Sequence, residues 1–145
     1  MNYEMWFRLC FAKLCREYDL KIEVISEDDI ALIGRNYALM FAGYREEWEI
    51  YYITRNQEGK LEAWDMDWHI KPRAKKKDRE GLLPGGPIEV TRKNGLLIAS
   101  RLLEREFGEL LSGGTSWMPK YLRSWYANVL SCWSKRKNEI LGKYI

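Results

Sequence analysis

Asp65, Asp67 and His69 recur at every second position within Trp64–Ile70, so a strand there would line them along one face. Two carboxylates and an imidazole are donor types that hold zinc. Along an extended strand the ends of that set stand ~13 Å apart, too far to share one ion without a bend. The plainer reading is an exposed polar sheet face. His69 is the single histidine, so any serine–histidine or cysteine–histidine couple must recruit it. No serine sits in a G-x-S-x-G elbow. The glycine-rich Gly81–Pro87 lacks the lysine and Ser/Thr of a phosphate-binding loop. The pairs Glu46-Glu47 and Asp28-Asp29 fall at expected turns, which lack the apolar walls that tune a catalytic carboxylate. Cys10 and Cys15, if helical, sit about 140° apart in azimuth and ~7.5 Å apart in rise, which suits neither a disulfide nor a shared metal. Cys10 and Cys132 read as core thiols. These residues predict no enzyme, no cofactor and no metal.

A second chemistry lies toward the C-terminus. Lys120, Arg123, Lys135, Arg136 and Lys137 are interleaved with Trp117, Tyr121, Trp125 and Trp133, a pattern that serves phosphate contact and base stacking. The competing reading puts Trp125 and Trp133 on the apolar stripe of a helix, hence in the core. A net charge of +3 is only mildly basic.

The elements that must position these residues follow from periodicity. Tyr3, Phe7, Cys10, Leu14 and Tyr18 make a helical stripe over Tyr3–Tyr18, with Asn2 as cap and a stop near Asp19. Lys21–Ile25, Ile30–Ile33, Tyr37–Ala42, Trp48–Thr54 and Trp64–Ile70 read as strands, divided by turns at Gly34–Asn36, Gly43–Glu47 and Asn56–Gly59. In Trp64–Ile70 the apolar Trp64, Met66, Trp68 and Ile70 alternate with Ala63, Asp65, Asp67 and His69. Residues 71–87 lose all periodicity and read as a long basic and Gly/Pro-rich loop. Ile88–Thr91 suggests a further short strand. A helix over Lys93–Leu111 is expected to end at Ser112-Gly113-Gly114. A third, capped by Ser116 and accepting Pro119, carries the stripe Leu122, Trp125, Tyr126, Val129 and Trp133, with Lys135-Arg136-Lys137 at its negative end. The expected fold is α+β: an N-terminal helix, an antiparallel meander of about four to five strands, and two C-terminal helices on one face of the sheet.

A chain of 145 residues has room for a single domain over 1–145. Its 14% aromatic content excludes global disorder, and no apolar run approaches the ~20 residues of a membrane span. The N-terminal residues lack the pattern of a signal peptide, and an odd, small cysteine count fits a reducing compartment, so the expected location is the cytoplasm. Charge is unevenly spread. Residues 41–70 carry 7 acids against 3 bases, whereas 71–80 carry 6 bases against 2 acids.

The aromatic N-terminal helix, the meander through Tyr37–Ala42, Trp48–Thr54 and Trp64–Ile70, and the segment FGELLSGGTSWMPKY from Phe107 to Tyr121 together suggest a family. In this element order the chain resembles the small cytoplasmic immunity proteins of bacterial polymorphic-toxin and contact-dependent growth-inhibition systems. The resemblance implies stoichiometric binding to a cognate toxin C-terminal domain, occluding it without chemistry. The acids Glu46, Glu47, Glu49, Glu62, Asp65 and Asp67 would then meet a basic cleft of the toxin and speed association; a solvated sheet face is the alternative for the same six. The net positive charge departs from the acidic balance common among nuclease inhibitors, which leaves the toxin's reaction open. Two other functions stay open: a nucleic-acid-binding accessory protein using the basic, aromatic C-terminal helix, and a phage or mobile-element protein inhibiting a host factor.

Overall fold

The computed structural model describes residues 2–131 and 134–145, so the expected roles of Cys132 and Trp133 lie outside the described residues. The first helix, α1 (Glu4–Tyr18), buries Phe7, Phe11 and Leu14. The Asn2 side chain accepts from the Glu4 N–H at 2.9 Å, and Asp19 ends the helix in the left-handed conformation at φ 53°. Strands β1 (Lys21–Val24), β2 (Asp29–Gly34), β3 (Tyr37–Tyr44), β4 (Glu47–Arg55) and β5 (Leu61–Asp65) follow as an antiparallel meander. A short β6 (Val129–Leu130) pairs with β5 through Trp64↔Val129 and completes a six-stranded sheet in simple sequence order. The tight β2–β3 and β3–β4 turns place Asn36 and Arg45 at positive φ, the backbone hand that two-residue hairpins need.

Both faces of the sheet are apolar, which is why β3 reads as a nearly continuous hydrophobic run. On one face Leu32, Leu39, Phe41, Ile50, Tyr52 and Trp64 pack under α1 and under α3 (Ile88–Glu106), α4 (Gly108–Leu111) and α5 (Met118–Arg123). Phe41 packs against the stacked Phe7 and Phe11 rings, with centroids 5.4 and 5.2 Å away. On the other face Ala31, Met40, Ile53 and Ala63 meet Leu141 of α6 (Lys135–Leu141). The α+β class and the antiparallel meander are as the sequence predicts, with one strand more than expected, and α6 adds cover on the second face. Among the described residues no helix is long and apolar enough to cross a membrane.

Four expectations about local structure need correction. The strand expected over Trp64–Ile70 stops at Asp65, and Asp67–Ile70 forms the helical turn α2. There the Asp67 carboxylate accepts from the Ile50 N–H at 2.8 Å, replacing a backbone ladder partner and releasing the chain from β4. His69 and Ile70 are thereby both buried, and Trp68 is left outside, which a two-residue alternation forbids. Ile88–Thr91 is the first turn of α3, not a strand: Pro87 precedes it with φ −59° and its carbonyl accepts from the Thr91 N–H at 3.0 Å. The helix expected over Lys93–Leu111 is interrupted at the buried Phe107, whose φ and ψ of −121° and 30° separate α3 from α4.

The last correction concerns the third helix. It ends at Arg123, and the chain returns to the sheet as β6. Tyr121 explains the return. Its buried hydroxyl lies 2.7 Å from Asp65 O and 3.0 Å from Asn128 O, and accepts from the Asn128 N–H at 2.9 Å, so it joins the end of β5 to the approach to β6. Leu122 and Trp125, expected on a buried stripe, are exposed. Lys135, Arg136 and Lys137 begin α6 rather than end a helix, so they stand at its positive pole; Lys137 meets Asp29 at 3.6 Å.

Candidate functional site

Two tryptophans stand out from the surface beside the end of β5. Trp68 is 60% exposed on α2, and Trp125 is 81% exposed just after α5, their ring centroids 5.5 Å apart. Large aromatic side chains are ordinarily withdrawn from water, so a contiguous exposed pair is a candidate contact surface. The pair is held from beneath. Trp125 meets Tyr126 edge-on, and the Tyr126 hydroxyl lies 3.1 Å from His69 Nδ1. His69, 3% exposed, is enclosed by Phe107, Trp117 and Tyr121. Burial pushes its pKa down to about 4, helped by the positive charges of Arg73 and Lys120, so the ring is neutral at physiological pH. His69 is thus a packing residue supporting Tyr126 and, through it, Trp125.

The six acids of the sequence reading do not form one patch. Glu49 and Asp65 share a sheet face with Tyr51, which pairs with Asp65 across the strands and whose hydroxyl donates to Glu49. Asp65 also accepts from the Asp67 N–H at 3.1 Å. Burial raises the Asp65 pKa, the Asp67 N–H opposes the rise, and the charges of Asp67 and Glu49 add to it. Asp67 is committed to Ile50 and lies 3.3 Å from Lys71 Nζ. Glu62 projects from the opposite face of β5 and accepts from Asn56 Nδ2 at 3.1 Å. Glu46 and Glu47 are exposed at the β3–β4 turn, where they border a groove along α3.

The chain matches no protein-family model, no curated protein and no solved structure.

Asp65 and His69 do not come together, because the turn into α2 sends His69 to the aromatic side while Asp65 stays beside Tyr51. Among the described residues no group of three or more His, Cys, Asp or Glu side chains is placed to hold a metal ion. The basic residues divide as well. Lys120 and Arg123 lie on α5, which ends just before Trp125, whereas Lys135, Arg136 and Lys137 lie on α6, which packs on the other face of the sheet. Trp117 and Tyr121, read as interleaved surface aromatics, belong to the core beside Trp64. Cys10 and Cys15 are half-buried, and burial raises both thiols, Cys10 to about 11, which keeps them protonated and poorly nucleophilic.

The exposed Trp68–Trp125 pair was missed by the sequence reading because helical and strand periodicity both assigned these residues inward. The usable signal was the chain's turn chemistry: Asp67 can start a helical turn, and the Ser124–Asn128 stretch follows a short Pro-started helix.

Proposed function

We propose that this chain is an immunity protein, acting in the cytoplasm, that binds a cognate bacterial toxin domain one to one and occludes it. The observation that carries the reading is the exposed Trp68–Trp125 pair, mounted on the packed His69–Tyr126 support. Tryptophan is the residue type most enriched among energetic anchors of protein interfaces, and a rigid support lowers the ordering cost of using it. The elements that carry or lead to the pair also bear charge of both signs: Asp67 begins α2, and Lys120 and Arg123 lie on α5. Such charge steers association and fixes register more than it adds affinity.

The test is coexpression and titration against the toxin domain encoded beside this gene. The wild type forms an equimolar complex and protects cells. Trp125→Ala, which removes an exposed side chain and leaves the fold intact, weakens the complex about 30-fold or more, the measure of an interface anchor. An unaltered complex places the interface elsewhere, and failure to protect against the neighbouring toxin discards the immunity reading.

A second reading, a nucleic-acid-binding accessory protein, draws on Lys120 and Arg123 of α5, the helix that ends just before the exposed Trp125. It requires DNA or RNA affinity that falls steeply with salt and is weakened by joint Lys120→Ala and Arg123→Ala.

A further inference from the structure

A groove of about 460 Å³ runs along α3, in the size range of small-molecule sites. Its lining is mostly apolar, with Ile98 and Ala99 of α3 and Leu82 of the preceding strap partly exposed over a buried floor of Ile50, Ile70 and Leu102. The α3 residues that line it extend from Thr91 to Leu102, about 16 Å of helix axis. Leu83, on the strap between the basic segment and α3, borders the groove yet is 84% exposed, so its side chain does not fill it. Gly95 lines the same wall. A Cβ there would stand 3.3 Å from Trp48 Cδ1, so a glycine inside the helix, unfavourable in itself, lets the indole lie close against α3.

The two ends of the groove differ in charge. At one end, the side chains of Glu46 and Glu47 make no hydrogen bond or ion pair among the described residues. At the other end stand Lys71 and Arg79. Lys71 is shared with Asp67, but the hydrogen bond of the exposed Arg79 side chain is a marginal 3.5 Å contact to Lys75 O, which leaves its other donors available. The surrounding segment, 71–80, carries 6 bases and 2 acids, and one of those acids, Asp78, is consumed by Arg105. The field at that end is therefore positive, and the free carboxylates at the far end repel an anion.

We propose that this groove binds a single-chain anionic amphiphile, a carboxylate on an unbranched alkyl chain. The chain lies along Ile98, Ala99 and Leu102, and the carboxylate sits at Arg79 with Lys71 beside it. This site is independent of the exposed tryptophan pair and of the toxin reading.

Isothermal titration calorimetry of the full chain with dodecanoate, held below its micelle concentration, tests it. The expected result is one saturable equivalent, with affinity falling at least tenfold in Arg79→Glu and binding abolished by Ala99→Phe, which fills the groove. Dodecyltrimethylammonium, the same chain with the opposite charge, should bind at least tenfold more weakly. If Ala99→Phe does not fold, the exposed Arg79→Glu decides alone, since its circular dichroism and melting should match the wild type. No saturable binding, several equivalents of uptake, or unchanged affinity in Arg79→Glu overturns the proposal. Equal or tighter binding of the cationic chain also overturns it, by moving the head group to Glu46 and Glu47.

Discussion

The Asp78 carboxylate accepts from Arg105 through both oxygens, at 2.7 Å from Nη2 and 3.2 Å from Nε, with Asp78 only 2% exposed. The same carboxylate accepts from the Lys75 N–H at 2.7 Å, and Arg105 also donates to Arg73 O at 3.0 Å. Arg101, one turn earlier on α3, donates to the carbonyls of Asp78 and Glu80 at 3.1 and 2.8 Å. A segment that reads as featureless basic loop is thus folded into two 3-10 turns, Lys71–Arg73 and Lys76–Arg79, and fastened to α3 by the buried Asp78 carboxylate and by Arg101 and Arg105 bonds to its backbone carbonyls.

The hydrogen bonds from Arg105 hold the Asp78 pKa below the ordinary carboxylate range, so unfolding takes up a proton in acid. The stabilisation is complete above the unfolded pKa near 4 and is lost as pH falls through the lower folded value. Asp78→Asn should lower the urea midpoint clearly at pH 7, and the gap from wild type should narrow below about pH 4. A gap that stays constant down to pH 2.5 would show that the carboxylate's charge contributes nothing.

His69 predicts a second, distinct acid effect. Its folded pKa of about 4 lies below the ordinary value of 6.5, so the neutral ring stabilises the fold fully above pH 6.5. That contribution is lost between pH 6.5 and 4, where unfolding takes up as much as one proton. In His69→Asn, stability should become less pH-dependent over that window, as read from urea midpoints at half-unit intervals.

Tyr121→Phe keeps the ring among Trp64, Trp117 and His69 but strips a hydroxyl that serves Asp65 and Asn128. Buried backbone groups left without a partner cost about 1–3 kcal/mol. Equilibrium unfolding should show that loss, and hydrogen exchange should show faster opening of β6 than of β3.

Gly34 permits no side chain. A Cβ there would sit 2.3 Å from Tyr37 Cε1, and the Tyr37 ring is buried, stacked on Tyr52 at 5.4 Å, with its hydroxyl donating to Leu111 O at 2.8 Å. Overpacking at such a site costs about 1–3 kcal/mol. Gly34→Ala should lose that much, and pairing it with Tyr37→Phe, which frees the ring to shift, should recover part of it.

Local patterns in the chain were enough for α1, for the first four strands and for the assignment of their faces. Trp48, Ile50 and Tyr52 point one way and Tyr51 and Ile53 the other because side-chain alternation is a property of the strand itself. The stop at Asp19 and the Asn2 bond to the Glu4 N–H are local in the same sense, although the helix cap itself falls on Tyr3 rather than on Asn2. What periodicity could not decide lay where a distant partner competes with it. Trp64–Ile70 alternates like a strand, but Asp67 captures the Ile50 N–H and turns the chain, which buries His69 and exposes Trp68. Leu122, Trp125, Tyr126 and Val129 repeat like a helix, but Tyr121 anchored to Asp65 and Asn128 sends the chain back to the edge of β5. The exposed tryptophan pair and the groove along α3 both arise from such long-range contacts. Backbone groups at the ends of elements need partners, and only the tertiary arrangement determines which side chains supply them.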